Sequence, residues 1–499
     1  MIKTHIPEDN ILSRVTPQRT RALLEQCVQA NFNSIRVWGG GYYPDDFFFD
    51  ICDELGLVVW QDFMFACANY HLTPEFEENI KAEFVDNITR LRSHPSLGLW
   101  CGNNEMEMFQ SVSEYDGTPK TRSDYIRMFE HILPEILREY DPDTFYWPAS
   151  PSSGGGFDEP NDPNRGDVHY WEVWHGNVPF TEYRKYYFRY ASEFGFQSFP
   201  CKKTIYSFAL PEDCNIFSRV MERHQRNDGA NGKIMAYLAQ TYLYPTEFDT
   251  LLYASQLLQA EAIRYGVEHW RRNRGRCMGA IYWQLNDIWP VASWASIDYF
   301  GRWKTLHYYA KRFFAPLMIS CEETGETTDR NSIILQPSPI KTKAHLNVAN
   351  ETREAVDVTV RWALRNSSSA VLQQGESSLT VPNLTSVWLE EIDFNGTDYL
   401  ENYFSYELWK DGEQCSCGTV LFTAPKHYHF LNPDLQWHVE GDTIFVTAQA
   451  YAKSVEIECD EEDLVLSDNF FDMNAGTVGI KVRSGTPRRL RLRSVYDIR

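Results

Sequence analysis

No apolar run in this sequence approaches the roughly 20 residues that a helix needs to span a bilayer, so a membrane-spanning helix is not expected. No HExxH pair and no glycine-rich phosphate loop is present. The run Gly154-Gly155-Gly156 follows Ser-Pro-Ser-Ser and precedes acidic, proline-containing sequence, so it reads as a connecting loop. His169 and His175 have no Cys or His partners at metal-ligand spacing. The 11 cysteines are odd in number and scattered. Cys415 and Cys417 lack both the two-residue spacer and the second pair of a zinc site, so the cysteines read as buried thiols. From these absences neither a metal nor a cofactor is expected. Positive charge is also short: 47 Lys and Arg stand against 69 Asp and Glu, a formal net charge of −22. Such a surface repels phosphate backbones and argues against nucleic acid as a partner, whereas a neutral sugar is indifferent to it. The opening MIKTHIPEDN lacks the pattern of a signal peptide.

The composition that remains is that of a folded protein of several domains. At 499 residues the chain exceeds what one hydrophobic core usually supports, which predicts two or three domains. Aromatics reach 15%, with 15 Trp and 28 Tyr; a well-filled core accounts for this, and so does a sugar-binding cleft. The first two-thirds alternates short apolar runs with amphipathic stretches. Strands are predicted at 33–38, 57–62, 97–101, 145–149, 167–171, 190–193 and 280–284. Helices are predicted at 44–55, closed by Gly56, at 74–92, capped by Thr73 with Glu75, Glu77 and Glu78 at its positive end, and at 251–272. Near-continuous apolar strands between helices indicate a parallel sheet. Seven strands are counted, and an eighth, to close a barrel, has only Met1 to Lys3 to form it.

Beyond about Pro316 the texture becomes antiparallel β. Segments such as AVDVTVRWAL and FSYELW alternate at period two, with turn residues at Asn395-Gly396 and Asp411-Gly412. A second block of this kind follows His427. The expected division is a (β/α)8 barrel over 1–316, a β-sandwich over 317–425 and an immunoglobulin-like β domain over 426–499.

Two segments deliver a carboxylate at the end of a strand. LWCGNNE runs an apolar strand into Glu105, and catalytic groups of such barrels stand at the C-terminal ends of strands. Taken alone, Glu105 is equally an acid at the start of the next helix. YASEFGF places Glu193 among aromatics, where an unpaired charge is costly. Either Arg189 pairs with Glu193 structurally, or the carboxylate is kept for function. Together, two strand-end carboxyls suit a glycosidase, which needs a proton donor at the leaving oxygen and a second carboxylate at the anomeric carbon. Trp38, Trp60, Trp171, Trp174, Trp283 and Trp289 gather at comparable strand ends and offer flat faces to a sugar ring.

The stretches RVWGGGYYPDDFFFDICDELGLVVWQDFMFACANY, SHPSLGLWCGNNE, HYWEVWHG, SEFGFQSFP and YWQLNDIWP resemble the β-mannosidases of glycoside hydrolase family two. The likeness continues through SVWLEEIDF, GTVLFTAPKH and LSDNFFD. It implies a retaining exo-enzyme of clan A that releases terminal β-mannose through a covalent glycosyl-enzyme. Another β-glycoside, such as a glucosaminide or galactoside, and a non-catalytic sugar-binding fragment are the alternatives. The resemblance makes Glu105 the acid/base and Glu193 the nucleophile. Asn104 is implied at the sugar's 2-hydroxyl and Trp38 and Trp283 at the pocket walls, with Trp171, Trp174, Arg36 and Asp62 as further substrate contacts. Members of that family begin with a jelly-roll domain and an immunoglobulin-like domain. Neither is in this sequence, so a missing N-terminal half of the same protein is an expected partner.

Overall fold

The computed structural model of the chain describes residues 2–111, 117–328 and 339–499. Contacts divide it into two compact units, the first comprising 1–196, 275–290 and 294–301, the second the remainder.

The first unit holds eight parallel strands: β1 (Ile2–His5), β2 (Ser34–Val37), β3 (Val58–Asp62), β4 (Leu97–Cys101), β5 (Phe145–Trp147), β6 (Val168–His169), β7 (Ala191–Glu193) and β8 (Ile281–Tyr282). Six of them form one sheet in the order β5-β4-β3-β2-β1-β8, and β6 pairs with β7. The two seams are closed by fewer bonds. Between β7 and β8 the amide of Ala191 donates to Gly279 O and that of Trp283 to Phe194 O. Between β5 and β6 the amide of Asp167 donates to Ser152 O at 3.3 Å, and Trp147 Nε1 and Ser150 Oγ both donate to the Asp167 carboxylate, at 2.8 and 2.6 Å.

The first strand corrects the expectation of a stub. Met1 lies outside the described residues, but the strand runs on to His5. It pairs with β2 at four positions and with β8 at two, so the neighbouring edges keep their partners.

Local sequence explains the connecting helices. Pro17–Gln29 starts at Thr16, whose hydroxyl accepts from Arg19 N, with proline in the first turn. Asp46–Leu55 ends at Gly56 in the left-handed conformation, φ 69°. Pro74–Leu91 is capped by Thr73, which accepts from Phe76 N.

The second unit contains the 25-residue helix Phe248–Arg272 and every strand after Pro316. The strands of 317–421 form two antiparallel sheets around a core that includes Ile319, Leu346, Val360, Phe404 and Phe422. A further pair of small sheets, from Gln436 to Arg493, follows. The long helix is tied to the first of these sheets, where Ser386 Oγ donates to Arg272 O at 2.7 Å. Glu261 of the same helix faces Arg264 and Lys453 at 2.6 and 3.8 Å.

Candidate active site

Strand β2 is buried at all four positions, and its third residue is Arg36, fully enclosed inside the barrel. A guanidinium there must be paired, since desolvating an isolated charge is prohibitive. Its fork meets three acceptors. Two nitrogens donate to Asp62 at 2.9 and 3.3 Å, one of them also to Asn104 Oδ1 at 2.8 Å, and the third to Glu193 Oε2 at 3.2 Å. Burial disfavours the charged guanidinium, but the carboxylates of Asp62 and Glu193 outweigh it and raise its pKa further. The buried partner of Glu193 is therefore Arg36 across the barrel, not the sequence neighbour Arg189. Asp62 is itself fixed by Trp60 Nε1 at 2.8 Å and by the amide of Gly39 at 3.1 Å. A Cβ on Gly39 would lie 2.6 Å from the carbonyl oxygens of Phe63 and Phe65, which is why glycine follows Trp38.

Glu105 stands one residue before a short helix, Met106–Ser111, and its carbonyl accepts from Phe109 N. The side chain, however, does not cap that helix; Asn103 Oδ1 does, accepting from Met106 N at 3.1 Å. Glu105 has φ 63°, a left-handed conformation that a glutamate rarely adopts. The strained backbone turns its carboxyl inward, where Oε1 lies 2.8 Å from His169 Nδ1 and Oε2 lies 3.4 Å from Cys67 Sγ. Glu193 Oε1 accepts from Trp171 Nε1 at 3.2 Å and lies 3.7 Å from the same His169 nitrogen. One oxygen of each carboxylate falls within 4.8 Å of the other.

The electrostatics of the trio are coupled. Burial pushes Glu193 above the ordinary carboxylate range and the charge of Glu105 adds to this, while His169, Arg36 and Trp171 oppose it. Burial acts on Glu105 too, but the hydrogen bond and charge of His169 outweigh it, so that carboxyl lies below its usual value. His169, Glu105 and Glu193 could converge on a metal ion by geometry alone. The guanidinium of Arg36, which binds Glu193 at 3.2 Å, lies 3.5 Å from the imidazole between the carboxyls.

Of the nine residues picked out as site candidates, Glu105, Glu193, Asn104, Arg36 and Asp62 form this one hydrogen-bonded network, and Trp171 joins it through its indole N–H. Trp38 and Trp283, both half-buried, meet edge to face at 5.0 Å between ring centroids. Trp174 does not join them. It is fully buried and turned onto Phe196 at 4.8 Å, and it meets Trp294 at 6.4 Å, against which Trp171 also packs, at 6.1 Å. His169, Ser150, Asp167 and Cys67 were not picked out. The available signal was the position of His169 in an apolar strand, two residues before Trp171; its partners come from three other strand ends.

Comparison with known proteins agrees with this architecture. Residues 342–427 match the family model for a Mannosidase Ig/CBM-like domain and residues 430–498 that for an Ig-fold domain. The chain is 37% identical to β-mannosidase B of Aspergillus fumigatus over 500 residues, and 35% identical to that of Aspergillus clavatus over 501. Each match covers 94% of this chain and 58% of the relative, so the chain spans rather more than half the length of the curated relatives it matches. Among solved structures, the β-D-mannosidase of Dictyoglomus thermophilum superposes with a TM-score of 0.89 at 30% identity, over 99% of this chain and 59% of that one. An exo-chitosanase of Amycolatopsis orientalis shares the fold, with a TM-score of 0.73 at 16% identity, over 99% of this chain and 61% of that one. By sequence over nearly all of its length and by fold, the chain is similar to rather more than half the length of these β-mannosidases.

Proposed function

We propose that the chain carries the active site of a retaining exo-β-mannosidase, with Glu193 as nucleophile and Glu105 as acid/base. The observation that carries this reading is the pair of buried carboxyls at the ends of β4 and β7, with oxygens within 4.8 Å. Retaining glycosidases hold their carboxyls about 5–5.5 Å apart, whereas inverting ones leave about 6.5–9.5 Å for a water.

In the first step Glu193 attacks the anomeric carbon, the glycosidic C–O bond breaks, and the proton of Glu105 passes to the departing oxygen. In the second a water gives its proton to Glu105 and its oxygen to the anomeric carbon, and the bond to Glu193 breaks. Arg36 and Trp171 hold the two oxygens of Glu193 and so aim it. Asn104, its carbonyl oxygen taken by Arg36 and its amide donating to Cys67 Sγ at 3.2 Å, has a second N–H for the 2-hydroxyl. Trp38, Trp283 and Trp171 are the walls against which the ring sits, while Arg36, fixed by Asp62, acts from beneath by holding Glu193 and Asn104. Catalysis needs Glu105 protonated and Glu193 ionised, whereas in the empty site the shifts of the pair, Glu193 up and Glu105 down, run the other way. Positive charge developing at the anomeric carbon favours an ionised Glu193, so substrate selects it. No step calls for a cofactor.

The division of the chain at about Pro316 and His427 is part of the same proposal. The β-strands from Leu317 onward and the junction of the two family matches between 427 and 430 support it.

Azide rescue tests the roles. Glu193→Ala with azide is expected to yield the α-glycosyl azide and Glu105→Ala the β-anomer; rescue with the anomers exchanged would reverse the assignment. A panel of aryl β-mannoside, β-glucosaminide and β-galactoside tests the sugar, with the mannoside expected to be turned over fastest.

A further inference from the structure

His169 touches more of the catalytic groups than any other side chain described for this site, and its ring is fully buried. Nδ1 faces Glu105 Oε1 at 2.8 Å and Glu193 Oε1 at 3.7 Å. Nε2 faces Ser150 Oγ at 3.0 Å and Arg36 at 3.5 Å. Hydrogen-bond bookkeeping sets the state of this ring. The hydroxyls of Ser150 and Ser192 both reach Asp167 Oδ2, at 2.6 and 2.5 Å, and a carboxylate offers them only lone pairs. The short charge-assisted bond takes the single proton of Ser150, which leaves a lone pair turned toward His169. Arg36 can only donate, so its longer approach to Nε2, at 3.5 Å, would need a lone pair there, and the shorter Ser150 contact, at 3.0 Å, is the one that needs an N–H. Nε2 is therefore an N–H, and Nδ1, facing two carboxyls, is an N–H whenever either of them is ionised. The residue's backbone is pinned as well: its amide donates to Asn161 Oδ1 and its carbonyl accepts from Asn161 Nδ2, both at 2.9 Å.

We propose that His169 is the positioning residue of the acid/base: an imidazolium, held on one side by Ser150 and Asp167, whose Nδ1–H fixes Oε1 of Glu105 and leaves Oε2 to exchange the proton. The proposal rests on reading Glu105 as the acid/base. Among the described residues, Oε2 is hydrogen-bonded by the weakly donating thiol of Cys67, an exposed residue, so it is the oxygen a leaving group can approach. When the C–O bond breaks, the proton on Oε2 goes to the departing oxygen, and the negative charge left on the carboxyl is met by the ring. When water attacks, Oε2 takes the proton back. The Nδ1–H stays in place through both steps. The charged groups facing the ring are Arg36 from β2, Glu105 from the end of β4 and Glu193 from β7, with Asp167 behind Ser150. Burial opposes a second proton on the ring, but the two carboxylates outweigh it, and its pKa lies above the ordinary histidine value.

Two measurements test this. The first compares phenyl and 2,4-dinitrophenyl β-mannosides, the second of which leaves with little need of a proton. General acid assistance is worth about 10²–10⁴-fold. His169→Phe is expected to lower kcat/KM on the phenyl glycoside by roughly 100-fold and on the dinitrophenyl glycoside by only a few-fold. His169→Asn, whose amide N–H stands where Nδ1–H was, is expected to restore most of the loss. Glu105→Ala is run beside them. Should Glu105→Ala show no leaving-group dependence, the acid/base reading itself falls. Should it show the dependence while His169→Phe loses both substrates equally, the positioning role alone falls. The second measurement needs no turnover. In ¹⁵N-histidine-labelled protein at pH 7.5, His169 is expected to show both ring nitrogens protonated, assigned by the resonance lost in His169→Asn. A neutral ring at that pH would overturn the proposal.

Discussion

Arg36 and Glu193, 157 positions apart in sequence, meet at 3.2 Å in the interior of the barrel, neither of them open to solvent. The guanidinium also binds Asp62 and Asn104, so one side chain sets the position of three site residues. Arg36→Lys keeps the charge but gives up the fork, which no ammonium reproduces. Its kcat/KM is expected to fall at least about 100-fold, because misplacing a reacting group by an ångström costs that much. Arg36→Ala leaves buried carboxylates unpaired and is expected to destabilise by about 3–5 kcal/mol as well. Steady-state kinetics with thermal melting of both variants checks this.

As the proposed nucleophile Glu193 must be ionised, and burial raises its pKa while His169 and Arg36 hold it down. The acid limb of kcat/KM against pH is therefore expected above the ordinary glutamate value of about 4.3. It should move further up in His169→Asn, which removes a charge that lowers it. A limb that stays put in that variant would separate His169 from Glu193.

Two buried carboxyls outside the reacting pair give stability opposite slopes with pH. Burial, the largest effect on Glu107, pushes it up to about 7, only partly offset by Ser152 and by the Phe157 amide at 3.0 Å. The folded state holds this proton after the unfolded chain has lost it, so the contribution is full below about pH 4.3 and is lost as pH rises through 7. Glu107→Gln is expected to melt higher than the parent at pH 8, by an amount on the order of 3 kcal/mol, and to differ little at pH 4.5.

Glu261 runs the other way. Burial raises it, but Arg264, Lys453 and Tyr309 together lower it to about 2. Its contribution is present above about pH 4.3 and disappears as pH falls toward 2. Glu261→Gln is expected to cost on the order of 3 kcal/mol at pH 7 and to lose its penalty near pH 2, read from denaturant melts at the two pH values.

Gly195 lies between the nucleophile's strand and the pocket wall. A Cβ there would sit 2.7 Å from Trp283 O and 2.9 Å from the Trp171 ring. Gly195→Ala must push Trp171 off the Glu193 carboxylate or shift Trp283. It is expected to lose about 1–3 kcal/mol of stability by overpacking and more than about tenfold in kcat/KM through the displaced nucleophile. Unchanged kinetics would show that Trp171 does not aim Glu193.

What was legible in the sequence follows a physical pattern. Strand ends and caps are local, so Glu105 and Glu193 were found where apolar strands stop, and Thr73 and Gly56 where a helix begins and another ends. Side-chain partnership across a barrel is not local. Arg189, four residues from Glu193, was the only basic partner the sequence offered, whereas the fold supplies Arg36 from β2. His169 looked unpartnered for the same reason, since its neighbours Glu105, Ser150 and Glu193 come from three other strand ends. Trp174 shared a motif with Trp171 and was grouped with it, but Trp174 is fully buried whereas Trp171 is half-buried and reaches Glu193 with its indole N–H. The first strand was underestimated because apolar texture marks a strand poorly when Thr4 and His5 belong to it.

The central claim is that Glu193 forms a covalent bond to the anomeric carbon. It is tested most directly by treating the protein with 2-deoxy-2-fluoro-β-D-mannosyl fluoride, whose fluorine slows the breakdown of the intermediate, and mapping the adduct by peptide mass spectrometry. The account predicts one fluoromannosyl group per chain, on Glu193 within YASEFGF, and none in Glu193→Gln. An adduct on any other carboxyl, or turnover of β-mannosides by a protein that the reagent never labels, would contradict it.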